Sequence, residues 1–128
     1  MSDLPLVEER TPEIRAASFV RGRQRATTTI GLLSSLGCPY DCDFCSEWST
    51  PYAAFDTARL THELDTISRD YPGALIGFHD PNFGVRFDQT LAAFENHSTP
   101  RNPFVMEASL SLLGTERLRR LRDAGCVM

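Results

Sequence analysis

Apolar residues recur along this chain in two alternating rhythms. Residues 27–35, TTTIGLLSS, are a run of β-branched and apolar side chains that predicts a strand buried on both faces, as in a parallel sheet. Farther on, Leu60, Leu64, Ile67 and Tyr71 fall at i, i+4, i+7 and i+11, the stripe of a helix with one buried face. Asp56 or Thr57 is placed to cap that helix, and Pro72 with Gly73 stops it. The pattern then repeats. ALIGF at 74–78 predicts a second strand, HDPNFG a turn, and Phe87, Leu91 and Phe94 a second helix. PFVMEASL at 103–110 predicts a third strand, and TERLRRLRDAG a third helix, capped by Thr115, striped by Leu118 and Leu121, and ended by Gly125.

The order βαβαβα implies an α/β fold, a parallel sheet of about three βα units over residues 27–128, behind an extended or flexible lead at 1–26. Right-handed crossovers place every strand's carboxyl end on one rim, where ligands bind in such folds. A connection of roughly twenty residues leaves the first strand, and loops that long in compact domains are usually functional. HDPNF leaves the second strand, and Glu107 with Ser109 sits near the end of the third. The expectation is that these segments face one pocket.

Composition narrows the setting. At 128 residues, 41% hydrophobic and 23% charged, the chain reads as one globular unit with apolar material for a core. A net charge of −4 argues against a general nucleic-acid coat, and the basic run RGRQR at 21–25 reads as a solvated approach to the first strand. The opening MSDLPLVEERTPEIR has acidic residues and prolines where a signal peptide needs a basic start and an apolar run, and no stretch approaches membrane-spanning length. A cytoplasmic protein without a membrane partner is expected. In that reducing compartment, clustered cysteines serve as ligands or catalysts more often than as disulfides.

The long connection carries the chemistry. LGCPYDCDFCSEW at 36–48 puts three of the four cysteines into eight positions, spaced CxxxCxxC. A cubane cluster of four irons ordinarily takes four thiolates, so three leave one iron open to a small molecule that binds through nitrogen and oxygen. Zinc is the rival metal and would need a fourth ligand such as His62, His79 or His97, none of which lies at finger-like spacing.

GCPYDCDFC resembles the signature of the radical S-adenosylmethionine (radical SAM) enzymes, CxxxCxΦC with Φ aromatic, here Phe44. The resemblance covers roughly residues 27–128, and the family's core is a partial (β/α)6 barrel whose cysteine loop follows the first strand. HDPNFG and MEASLSLL with ERLRRLRDAGC resemble the second and third units of the group that often carries a cobalamin domain. The resemblance implies that Cys38, Cys42 and Cys45 ligate a 4Fe-4S cluster, whose fourth iron is chelated by the methionine amine and carboxylate of S-adenosyl-L-methionine (SAM). Phe44 would lie against the adenine. His79, Asp80 and Asn82 would line the SAM or substrate side, with Glu107 and Ser109 at the end of the third strand. The implied chemistry is reductive cleavage of SAM to methionine and a 5′-deoxyadenosyl radical that takes hydrogen from a small-molecule or macromolecular substrate, with an electron donor such as flavodoxin or ferredoxin. The family's Gly-Gly-Glu stretch after the second strand is absent. So is a DxHxxG motif, and no cobalamin is expected. The chain ends at GCVM, where a fourth strand would begin in that fold. The expectation is therefore an incomplete core, inactive alone, whose open sheet edge at the third strand invites self-association.

Plainer roles stand beside these. Asp80, Asn82 and Gly84 suit a turn that caps the second helix, and Glu107 could stand in solvent from an edge strand. Trp48 suits packing, Cys126 a buried thiol, and the four arginines of the last helix a solvated face. Two other function classes remain: a small zinc-binding interaction module, and a non-catalytic iron–sulfur protein for electron transfer.

Overall fold

The strands of this chain are too short to stand alone, and consecutive crossovers assemble them. A computed structural model describes residues 4–16, 20–21, 24–25, 29–97 and 101–127. Along the chain come α1 (Thr11–Ala16), β1 (Val20–Arg21), β2 (Gln24–Arg25), β3 (Thr29–Leu32), β4 (Ser35–Leu36), β5 (Ala53–Ala54), α2 (Thr57–Asp70), β6 (Leu75–Phe78), α3 (Phe87–Glu95), β7 (Phe104–Val105) and α4 (Thr115–Ala124). Short 3-10 turns occupy Ser46–Ser49, Phe83–Arg86 and Leu110–Leu112. β3, β6 and β7 form a parallel sheet in that order, in register from Thr29↔Leu75 to Leu32↔Phe78 and from Ile76↔Phe104 to Gly77↔Val105. The class is α/β, with helices in the crossovers.

One face of the sheet carries the core. Ile30, Leu32, Ile76, Phe78 and Phe104 are buried with Leu60, Leu64 and Ile67 of α2, Leu91 and Phe94 of α3, and Leu121 of α4. Phe78 is central, with ring centroids of Phe83, Phe94 and Phe104 at 5.1, 5.6 and 5.9 Å, and such aromatic contacts add to the burial of apolar area. The alternate residues differ. Thr29 is exposed, Gly31, Leu75 and Val105 are half-buried, and only Gly77, beside the His79 ring, is buried. The expectation that the first strand is buried on both faces is thus corrected, because exposed Thr29 and half-buried Gly31 alternate with buried Ile30 and Leu32.

Local chemistry explains where the elements end. Asp56 caps α2 by accepting from Ala58 N at 3.0 Å, the Tyr71 amide closes on Ile67 O, and Gly125 ends α4 in the left-handed region. Thr115 is the first residue of α4 rather than its cap, which falls at Gly114 without a side-chain hydrogen bond. Leu118 is half exposed, so Leu121 and Ala124 carry the buried stripe.

Three further expectations change. The lead segment holds helix α1, and Val7 and Ile14 join the core; the side chains of the basic run at 21–25 lie outside the described part. The third strand is two residues long because neighbouring groups draw the chain out of the ladder: Glu107 O accepts from Phe83 N at 2.9 Å, and Ser109 N donates to Asn82 Oδ1 at 3.2 Å. Its outer edge is occupied at Phe104, which forms a parallel bridge with Cys126, through Phe104 N to Gly125 O at 3.1 Å and Val127 N to Phe104 O at 2.9 Å.

The arginines of α4 divide between two roles. Arg117 and Arg120 lie over the Phe87 ring at 4.8 and 5.5 Å, and Arg120 reaches Asp88 at 2.6 Å and Glu95 at 2.9 Å, tying α4 to α3. Arg119 and Arg122 alone match the expected solvated face, pairing with Glu116 and Asp123 on the surface.

Candidate functional site

The cysteine loop is closed at its neck and anchored to the end of β6. Beyond β3, Ser34 O accepts from Phe55 N at 2.9 Å, and β4 pairs antiparallel with β5, Ser35↔Ala54 and Leu36↔Ala53. Gly37 follows with φ at 63°, and a Cβ there would stand 2.4 Å from Thr50 O and 2.6 Å from Pro51 O. Only glycine lets the two sides of the neck approach so closely. Residues 37–52 therefore make a compact excursion whose ends touch, an Ω-like loop.

A buried carboxylate fastens this neck. Asp80, 2% exposed, accepts from Ser34 N at 3.0 Å to each oxygen, from Ser34 Oγ at 2.6 Å and from Ser35 Oγ at 2.8 Å. The parallel register places Leu32 opposite Phe78, so two residues farther along both strands Ser34 meets Asp80. Tyr52, on the returning limb, shares a side-chain hydrogen bond with Ser35. Burial raises its phenol above the ordinary value, while nearby Arg86 pulls it back.

The loop carries Cys38 half-buried, Cys42 exposed and Cys45 half-buried, none of them in a disulfide. Cys45 N donates to Cys42 O at 3.0 Å, a turn that brings the last two positions of the triad together. Among the described residues no three His, Cys, Asp or Glu side chains already converge as a metal-binding group. The donor set itself is three sulfurs on one solvent-accessible loop, suited to a thiophilic metal or cluster. Phe44, on the same loop, is 90% exposed. The side chain of Trp48 lies outside the described part.

The HDPNF segment divides its side chains among three neighbours. Asp80 holds the cysteine loop. Asn82 caps the turn after it, accepting from Gly84 N at 3.2 Å, and also takes Ser109 N at 3.2 Å from the loop after β7. The turn-and-cap role thus falls to Asn82, at the 3-10 turn before α3; α3 itself has its cap at Arg86 without a side-chain hydrogen bond, and Asp80 takes no part. His79 is exposed, with its ring lying across Gly31. Glu107 and Ser109 have exposed side chains, the latter bonded to Ser111 Oγ at 2.8 Å.

The structure thus joins Asp80 to the cysteine loop and Asn82 to Ser109, whereas Phe44 and the Glu107 carboxylate stand in solvent. The histidines weighed as zinc ligands have other surroundings: His62 lies 3.6 Å from Glu8, and buried His97 is 2.6 Å from Asp65. Cys126 is half-buried and packs against the core. Ser34, Ser35, Tyr52 and Arg86 escaped the reading of the sequence. The available signal was a serine pair directly after one strand and an aspartate directly after the next, which parallel register brings side by side. No protein-family model and no curated protein matches the chain. Among the described residues no helix is long and apolar enough to cross a membrane.

Proposed function

We propose that this chain is a radical SAM protein whose sheet corresponds to the first three units of the family's partial barrel. It would bind a 4Fe-4S cluster through Cys38, Cys42 and Cys45, and SAM beside it. The observation that carries the reading is positional: the CxxxCxxC loop leaves the carboxyl end of the first parallel strand and is fastened there by the aspartate that ends the next. Ligands bind at that end of parallel strands.

The residues divide the work. The thiolates of the triad hold the metal, and the Asp80 clasp keeps the base of their loop in place at the strand ends. The bound cluster would supply one electron for the reductive cleavage of SAM. His79 and the half-buried positions Gly31, Leu75 and Val105 lie on the sheet face available to SAM or substrate. Exposed Phe44 is free to fold over the adenine. An electron donor such as flavodoxin or ferredoxin would reach the metal through the solvent-accessible loop.

Anaerobic reconstitution tests this. The chain should take up about four irons and four sulfides and turn brown, and SAM should change its electron paramagnetic resonance signal. Cys42→Ala should abolish uptake, while Cys126→Ala should retain it. Equal loss in both variants refutes the triad. Zinc bound without sulfide would establish the interaction-module reading instead, and a cluster indifferent to SAM the electron-transfer reading.

A further inference from the structure

A cavity of about 330 Å³ opens beside β3, between the N-terminal segment, α2 and His79. That is large enough for a small organic molecule. Leu4, Pro5, Leu33, Phe55 and Leu60 give it apolar walls, and none of the cysteines lines it. Its charged residues are Arg10, Arg59 and Glu63. Two of these account for each other. Glu63 Oε2 accepts from Val7 N at 2.8 Å, and its Oε1 lies 3.9 Å from Arg59 Nη2. Arg59 also donates to Leu4 O at 2.7 Å and stacks over Phe55.

Arg10 is left over. Its Nη2 donates to Gly31 O at 3.1 Å, its Nε is buried without a partner, and no carboxylate pairs with it among the described residues. A guanidinium is a cation at any ordinary pH, so this wall of the cavity keeps a positive charge that no carboxylate pairs among the described residues. His79 lies against the same glycine. A methyl group at Gly31 would come within 3.1 Å of His79 Cδ2 and 3.2 Å of Nε2, so the absent side chain lets the imidazole settle over the strand. Arginine and histidine thus gather around one residue of β3, at the polar end of a mostly apolar space.

We propose that this cavity binds a small apolar molecule bearing one anionic head-group, with Arg10 as counter-ion and His79 beside it. The apolar walls take the body of the ligand. The head-group neutralises the guanidinium. Carboxylate and monophosphate share this chemistry.

The inference does not depend on metal at the cysteines, and its test uses the full chain without added iron. Octanoate, phenylpropionate and octyl phosphate are titrated by calorimetry and by chemical-shift perturbation, with octanol as the neutral match. The anions should bind at least about tenfold more tightly than octanol, as expected for a charge-assisted contact in a mostly apolar site. They should move the signals of Arg10, Gly31 and His79; the tighter of carboxylate and phosphate identifies the head-group. Arg10→Leu should lose that advantage while octanol binding is unchanged. Arg10→Gln, which keeps a donor for Gly31 O but no charge, should lose it as well and guards against a leucine variant that fails to fold. Octanol binding as tightly as octanoate, undiminished octanoate affinity in Arg10→Gln, or no binding by any of the three anions would overturn the proposal.

Discussion

Replacing Asp80 with alanine examines the feature on which the cysteine loop rests. The carboxylate is 2% exposed and takes three donors: Ser34 N, Ser34 Oγ and Ser35 Oγ. Hydrogen bonds to an ionised acceptor contribute about 1.5–3 kcal/mol each, so the gross interaction is several kcal/mol. The cost of burying the carboxylate offsets much of it. Alanine removes both terms and leaves the Ser34 amide without an acceptor, a penalty of about 1–3 kcal/mol, whereas the two hydroxyls can rotate to other partners. The net loss should be about 3 kcal/mol, a large fraction of the stability of a domain this size. The melting temperature should fall by roughly 10 °C. Asp80→Asn retains one acceptor oxygen but turns an amide donor toward the serines, and should lose about half as much. Urea unfolding of the metal-free chain, followed by circular dichroism, measures the loss. The rate of iodoacetamide labelling at Cys38 and Cys45 reports the neck, and should rise in the alanine variant. A loss below about 1 kcal/mol with unchanged labelling would refute the reasoning, because it would mean that the neck holds without its carboxylate.

Other perturbations test other parts of the fold. Gly37→Ala forces a side chain into left-handed backbone against the Thr50 carbonyl and should cost at least about 2 kcal/mol in the same unfolding assay. Arg120→Ala should lower the melting temperature more than Arg119→Ala, because Arg120 joins two helices through Asp88 and Glu95, and added salt should narrow the difference. Tyr52 has a phenol raised above 10.0 by burial, so the folded chain holds a proton that the unfolded chain releases. Its contribution is intact below that pH and is lost as pH rises through the folded value. Urea midpoints measured between about pH 9 and about pH 11 should fall more steeply in the wild type than in Tyr52→Phe.

Most of the secondary structure was legible because it rests on local patterns. The stripe Leu60, Leu64, Ile67, Tyr71 defines α2 by spacing alone, and Asp56 caps it as a short acceptor before a helix should. The runs 74–78 and 103–110 announce β6 and β7 because β-branched and aromatic residues crowd between turn formers. Their alternation with helices implies the parallel order observed. The length of β7 was not legible. What shortens it is a pair of hydrogen bonds from Phe83 and Asn82, more than twenty positions away in the chain, and periodicity carries no information about such partners.

The site divides along the same line. The sequence determined which residues offer sulfur ligands and that they share one loop after the first strand, since ligand type and spacing are properties of the chain itself. Only the tertiary structure decided what holds that loop. Ser34 and Asp80 are 46 positions apart and become neighbours through the register of two parallel strands, and the burial that makes their hydrogen bonds consequential exists only after folding. The same is true of Arg10 and His79, which meet at Gly31 because an N-terminal residue and the residue after a strand end both pack against one glycine. Residue identity sets what chemistry is possible, while proximity, desolvation and unmet charge arise from packing between distant segments and cannot be read from local order.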